Sequence, residues 1–128
     1  MSVSLTVIDE DGATYARVVN EFAAVQWFRS AETFLGQLTD PTVPAVIVAN
    51  VRLPGMDGVE LVQRLRDRGH TAAVVLVCEG ADVATAVDAI RHGADDFLEK
   101  PVSHSMLVSR IRRLLKDKKK PQKLMEAK

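Results

Sequence analysis

A chain of 128 residues has the length of one domain, and folding at that size buries about two thirds of the unfolded surface without a disulfide or metal staple. A formal net charge of zero excludes electrostatic binding of nucleic acid by the chain as a whole. The single cysteine, Cys78, excludes an internal disulfide and suits a reducing compartment. There is no basic N-terminal stretch leading into an apolar signal segment, and no apolar run near the ~18 residues of a membrane span. The composition reads as soluble and cytoplasmic.

Val3 to Ile8 is a short apolar run that stops at the acids of "DEDG" and predicts a first strand. Tyr15, Val18, Val19 and Phe22 then recur three or four residues apart, the period of a helix with one covered face. "AVQWF" (24–28) predicts a second strand, with Trp27 partly covered. Ser30 is placed to cap a helix whose apolar face is Ala31, Phe34, Leu35 and Leu38. "AVIVA" (45–49) predicts a third strand running into Asn50, a neutral amide. Leu61, Val62 and Leu65 mark the inner face of a third helix ending near Gly69. "AAVVLV" (72–77) predicts the fourth strand. Val83, Ala86, Val87 and Ile90 predict the inner face of a fourth helix, which Gly93 terminates. "DDFLEK" (95–100) predicts a short fifth strand. Ser103 caps a last helix carrying Leu107, Val108, Ile111, Leu114 and Leu115 on one side.

Five strand–helix units in alternation predict an α/β fold. The third and fourth strands are apolar on both faces, as a parallel sheet covered by helices on both sides requires. Right-handed crossovers then give a doubly wound sheet. Such sheets bind ligands beyond the carboxyl ends of their strands. The residues to read are therefore Asp9, Glu10 and Asp11, then Asn50, then Cys78 and Glu79, then Lys100 and Pro101. From Arg110 onward the charge is mostly positive, and Pro121 ends any helix. Residues 1–116 read as the domain. Residues 117–128 read as a basic linker or tail, with a nucleic-acid arm as the other reading, although no aromatic residue follows Phe97.

"VIDED" (7–11), "VRLPGMDGVEL" (51–61) and "GADDFLEKP" (93–101), at their spacing, resemble the receiver domain of bacterial two-component response regulators. Among receivers the chain looks most similar to those of transcriptional regulators with a phenylalanine shortly before "KP". The resemblance covers residues 3 to about 116. It implies a flavodoxin-like sheet of five parallel strands in the order 2-1-3-4-5 with five helices. It implies a phosphoryl-accepting aspartate ending the third strand, Mg²⁺ held by acids after the first, a threonine or serine after the fourth and a lysine after the fifth. It also implies signalling or homodimerisation through the face of helix 4, strand 5 and helix 5, a downstream output domain, and no enzymatic role.

Asp9 and Lys100 match that pattern. Four positions depart from it. Asn50 stands at the acceptor position, and an amide has no anionic oxygen to attack phosphorus. Glu10 is one methylene longer than an aspartate, and Mg²⁺ demands near-ideal octahedral geometry. Cys78 stands where a hydroxyl is expected, and a thiol is a weak donor. Glu79 crowds the entrance and repels an incoming phosphoanion. The expectation is a degenerate acidic pocket of Asp9 and Glu10, locked by Lys100 without metal, with Mg²⁺ binding weak or absent.

The remaining candidates have bland readings. Cys78 reads as a small hydrophobe ending a buried strand rather than a redox sensor. His70, His92 and His104 are too scattered for a metal site. Phe97, the family's switch aromatic, reads as a core or interface residue, and Asp57 as a turn aspartate rather than a substitute acceptor. The overall reading is a pseudo-receiver acting through protein partners, with no membrane and no direct nucleic-acid contact. The alternatives are a conventional phospho-receiver with an engineered Asn50, or a small-molecule or partner sensor using the altered pocket. A nucleotide-binding enzyme would need a glycine-rich cradle, which "DEDGAT" does not supply.

Overall fold

A computed structural model describes residues 4–118. Five strands alternate with five α-helices: β1 (Ser4–Ile8), α1 (Ala16–Val19), β2 (Ala24–Phe28), α2 (Ala31–Gln37), β3 (Val46–Asn50), α3 (Gly58–Asp67), β4 (Ala73–Cys78), α4 (Val83–Arg91), β5 (Asp96–Glu99) and α5 (His104–Lys118). Short 3-10 turns at Gly12–Tyr15 and Gly80–Asp82 precede α1 and α4. All strand pairs are parallel and the order is β2-β1-β3-β4-β5, the doubly wound arrangement that the alternation predicted.

Strand side chains alternate between two cores. Ile8, Ile47, Ala49, Val74 and Leu76 pack against Phe34, Leu61, Val62, Leu65, Ala86 and Ala89, so α2, α3 and α4 cover one face. Leu5, Val7, Val46, Val48, Val75 and Val77 pack against Tyr15, Val18, Leu107, Ile111 and Leu114, so α1 and α5 cover the other. Every residue of β4 is buried, which is why its sequence shows no polar alternation.

The caps at Ser30 and Ser103 form as expected: the two hydroxyls accept from Thr33 N and Met106 N. Other details differ. β3 and β4 each start and end one residue later than the apolar runs suggested, because Asn50 pairs with Val77 and Cys78 with Glu99. β5 is shorter, Asp96–Glu99. The single first helix is a 3-10 turn followed by one α-helical turn. The inner face of α4 is Ala86 and Ala89, while Val87 and Ile90 are 43% and 39% exposed. Two small alanines let this helix sit close on the sheet, and the larger residues rotate outward. α5 is continuous through Lys118, across the boundary expected at 116–117. The remaining basic residues of the expected tail, from Lys119, lie outside the described residues.

The end of the molecule away from the site is tied by Arg66, whose sequence context gave no signal. Its guanidinium donates to His70 O and Ala72 O at 2.8 Å each, to Gly93 O at 2.8 and 3.1 Å, and to Asp95 Oδ2 at 3.2 Å. His70 is buried between Val43 O and Ala72 N, both at 3.0 Å. One arginine thus satisfies three carbonyls from two loops. Arg66→Met leaves those carbonyls short of donors and is expected to lower stability by about 2–3 kcal/mol in urea unfolding. Arg64→Ala, which removes only the exposed pair to Glu60, is expected to cost less than about 0.5 kcal/mol. Equal losses in the two variants would refute the carbonyl clamp.

Candidate functional site

The carboxyl ends of β1, β3, β4 and β5 meet at one edge of the sheet. Ile8 pairs with Ala49, so Asp9 and Asn50, the next residues, end neighbouring strands. Cys78 pairs with Glu99, and Lys100 N donates to Cys78 O at 2.7 Å, which sets Glu79 and Lys100 side by side.

Asp9 is 4% exposed. A carboxylate so placed needs internal partners. Oδ1 accepts from Asp11 N at 3.0 Å and Oδ2 accepts from the Tyr15 hydroxyl at 2.9 Å. Lys100 Nζ stands 4.0 Å from Asp9 Oδ2 and 3.8 Å from Glu79 Oε2. The backbone carbonyl of Asp9 accepts from Trp27 Nε1 at 2.7 Å, so this half-exposed indole is anchored at the site's edge. The lysine pairs with Glu79, where Glu10 had been expected. Glu79 follows β4, the neighbour of β5, whereas Glu10 lies past Asp9 on the exposed side of the turn.

Asn50 closes β3 with Nδ2 donating to Arg52 O at 2.9 Å. The loop that follows is held from several sides. Glu32 of α2 accepts from Met56 N at 2.7 Å, and that bond holds the Glu32 carboxyl below its usual range. Asp57, read from sequence as a plain turn residue, caps α3 by accepting from Glu60 N at 2.8 Å. The Asp57-x-x-Glu60 spacing, a capping-box pattern, was the available signal. Gly55 has φ +76°, and a Cβ at Gly58 would lie 2.6 Å from Asn50 O. "GMDG" therefore places a positive-φ residue, a cap and a close-packed glycine in succession. Arg52 Nε donates to the buried Asp82 Oδ2 at 3.0 Å and bridges this loop to the turn after β4. Neither partner was legible in the sequence.

Cys78 is fully buried, with Sγ 3.9 Å from Leu98 O. Burial pushes its thiol up from the ordinary value, and Asp82, Glu99 and Glu79 add to this against the opposing Lys100. Phe97 is half-buried and packs on the α2–α3–α4 side of the sheet.

Residues 7–112 match the sequence model of the family described as the response regulator receiver domain. The chain belongs to that family. Over 118 residues it is 36% identical to the transcriptional regulatory protein FixJ of Azorhizobium caulinodans, covering 87% of this chain and 54% of that protein. It is 43% identical over 72 residues to the C4-dicarboxylate transport transcriptional regulatory protein DctD of Pseudomonas aeruginosa, covering 56% of this chain and 16% of that protein. Full-length FixJ from B. japonicum superposes with a TM-score of 0.78 at 29% identity, covering 91% of this chain and 59% of that one. The chain thus spans about half, or less, of the length of these relatives.

Receiver domains imply a Mg²⁺ site at this sheet edge, and the residues here do not fit one. Both Asp9 oxygens already accept hydrogen bonds from within the chain. Asn50 contributes no negative oxygen. Among the described residues, no group of three or more histidine, cysteine or acidic side chains is arranged to hold a metal ion.

Tyr15 supplies a direct reading of the site, because it is the chain's one tyrosine. Burial, then the Asp9 carboxylate, push its phenol far above the ordinary value of 10.0. A group raised in the folded state contributes stability that is complete below about pH 10 and declines as pH rises past that value. In an alkaline titration, the tyrosinate absorbance is expected to appear only together with loss of the far-ultraviolet circular dichroism. Ionisation near pH 10 with the fold intact would remove the buried Tyr15–Asp9 bond from the account.

Proposed function

We propose that this receiver domain is a pseudo-receiver: an interaction module in signal transduction and transcription regulation that does not accept a phosphoryl group at Asn50. The observation that carries the reading is the residue that closes β3. Its amide has no anionic oxygen, and its nitrogen is already donated to Arg52 O. The internal partners of Asp9 and the Glu79 carboxylate beside Lys100 support it from the same sheet edge. Asp9, Glu10, Cys78 and Lys100 are then remnants of a phosphoryl pocket, and Phe97 is a packing residue.

The output surface in this reading is the face of α4, β5 and α5, used for a protein partner or a second copy of the chain. Val87 and Ile90 are exposed on α4 and Met106 on α5, and Asp96, which opens β5, is ion-paired with Arg110 and Arg113 of α5. Exposed apolar side chains together with fixed charges favour a specific interface over unspecific adhesion. Residues 1–116 form the receiver, and 117–128 lead towards an output domain like those of the longer relatives. The module is not an enzyme, works in the cytoplasm, and leaves any contact with nucleic acid to that output domain. No helix among the described residues is long and apolar enough to cross a membrane.

Beryllofluoride with Mg²⁺ mimics an aspartyl phosphate, and amide NMR reads its binding. Neither the natural chain nor Asn50→Asp is expected to shift at Asp9, residue 50 or Lys100. Saturable shifts in the natural chain would overturn the proposal. Shifts confined to the variant would locate the whole block at Asn50 and reinstate the rest of the pocket.

A further inference from the structure

A cleft of about 580 Å³ opens beside the degenerate site, between α1 and the start of α5. Its size falls within the ~300–1,000 Å³ typical of small-molecule sites. It is lined by Val18, Val77, Val102 and Leu107, with the Tyr15 ring alongside.

The polar groups at its edge are unequal in what they have left to give. Thr14 Oγ1 donates to Asp11 Oδ2 at 2.9 Å, and His104 Nε2 stands 3.5 Å from Glu21 Oε2. Both are committed. Arg17 has no hydrogen bond or ion pair through its side chain among the described residues. Lys100 has only its two contacts at 3.8 and 4.0 Å, each longer than a hydrogen bond. Two cations with spare donors, Arg17 and Lys100, thus line a cleft whose apolar walls strengthen any charge-assisted bond.

We propose that this cleft binds a small organic monoanion, its apolar body against Val18, Val102 and Leu107 and its carboxylate held by Arg17 and Lys100. A dianion such as a phosphate monoester is disfavoured, because Glu79 and Asp9 both stand within 4.0 Å of the lysine. A cation meets Arg17 and Lys100 directly. The ligand replaces phosphorylation as an input at this end of the sheet. The proposal depends on the pseudo-receiver reading in one respect: Lys100 can turn to a carboxylate because no phosphoryl group engages it.

The test uses the full chain and three probes of one shape: 3-phenylpropionate, the matching amide and the matching amine. Amide NMR is expected to show saturable shifts clustered at Val18, Val102 and Lys100, with the acid about tenfold tighter than the amide and the amine weakest. Arg17→Gln, at an exposed position, is expected to bring the acid down towards the amide and leave the amide unchanged. Val102→Trp, which fills the cleft, is expected to abolish binding of all three while the spectrum remains that of a folded protein. No shifts at the cleft, equal affinities for the three probes, or an acid affinity untouched by Arg17→Gln would each overturn the proposal. Failure here is silence at Val18 and Val102. Failure of the pseudo-receiver reading is a beryllofluoride response at Asn50, so the two are distinguishable.

Discussion

An ionised side chain on an almost sealed strand end must be answered by donors from within the chain, and at Asp9 that demand shapes everything around it. The Asp11 N–H and the Tyr15 hydroxyl reach it only if the backbone doubles back directly after β1. The 3-10 turn at Gly12–Tyr15 is that reversal. Gly12 is required in it because the Trp27 indole lies where a Cβ would stand, 2.6 Å away, while Trp27 Nε1 bonds the Asp9 carbonyl. The turn consumes residues that a longer α1 would need, so only one helical turn remains before the chain enters β2.

Charge at this edge is already net negative. One ammonium, Lys100, stands between two carboxylates, Asp9 and Glu79. A third carboxylate at residue 50 would add a like charge at the end of the strand beside Asp9. The neutral amide avoids that repulsion, and its donor closes the loop towards Arg52. Arg52 in turn neutralises Asp82, the buried acid of the neighbouring turn. Asp9 and Asp82, the buried acids of this edge, are thus each held by the chain's own donors.

Periodicity revealed the backbone plan because it is imposed by burial. Apolar runs locate β3 and β4, since a parallel sheet covered on both faces leaves polar residues few places within them. Serine caps locate α2 and α5, since helix N-termini present unsatisfied N–H groups. On α4 the period places Ala86 and Val83 on the core correctly but not Val87 and Ile90, because the pattern weighs valine and isoleucine above alanine while close packing favours the smallest residues. Long-range polar pairs were less legible. Arg66 with Gly93, Arg52 with Asp82 and Tyr15 with Asp9 depend on where the fold brings distant segments, and nothing local marks them. The positions at the candidate site were found because topology sends every strand end to one edge. Their partners were not, which is why Lys100 was matched with Glu10 rather than Glu79.

Kinship with FixJ extends over 87% of this chain and shows that the scaffold is shared. A shared scaffold does not carry its chemistry with it, because function resides in particular side chains. Here β5 is the element on which the two proposed surfaces converge. Its carboxyl end leads into Lys100, beside Asp9, Glu79 and the cleft. Its first residue, Asp96, is paired with Arg110 and Arg113 of α5 on the proposed partner face. α5 in turn contributes Leu107 to the cleft wall and runs through Lys118. An anion drawing Lys100 towards Arg17 would act on a four-residue strand whose other end is ion-paired to that helix.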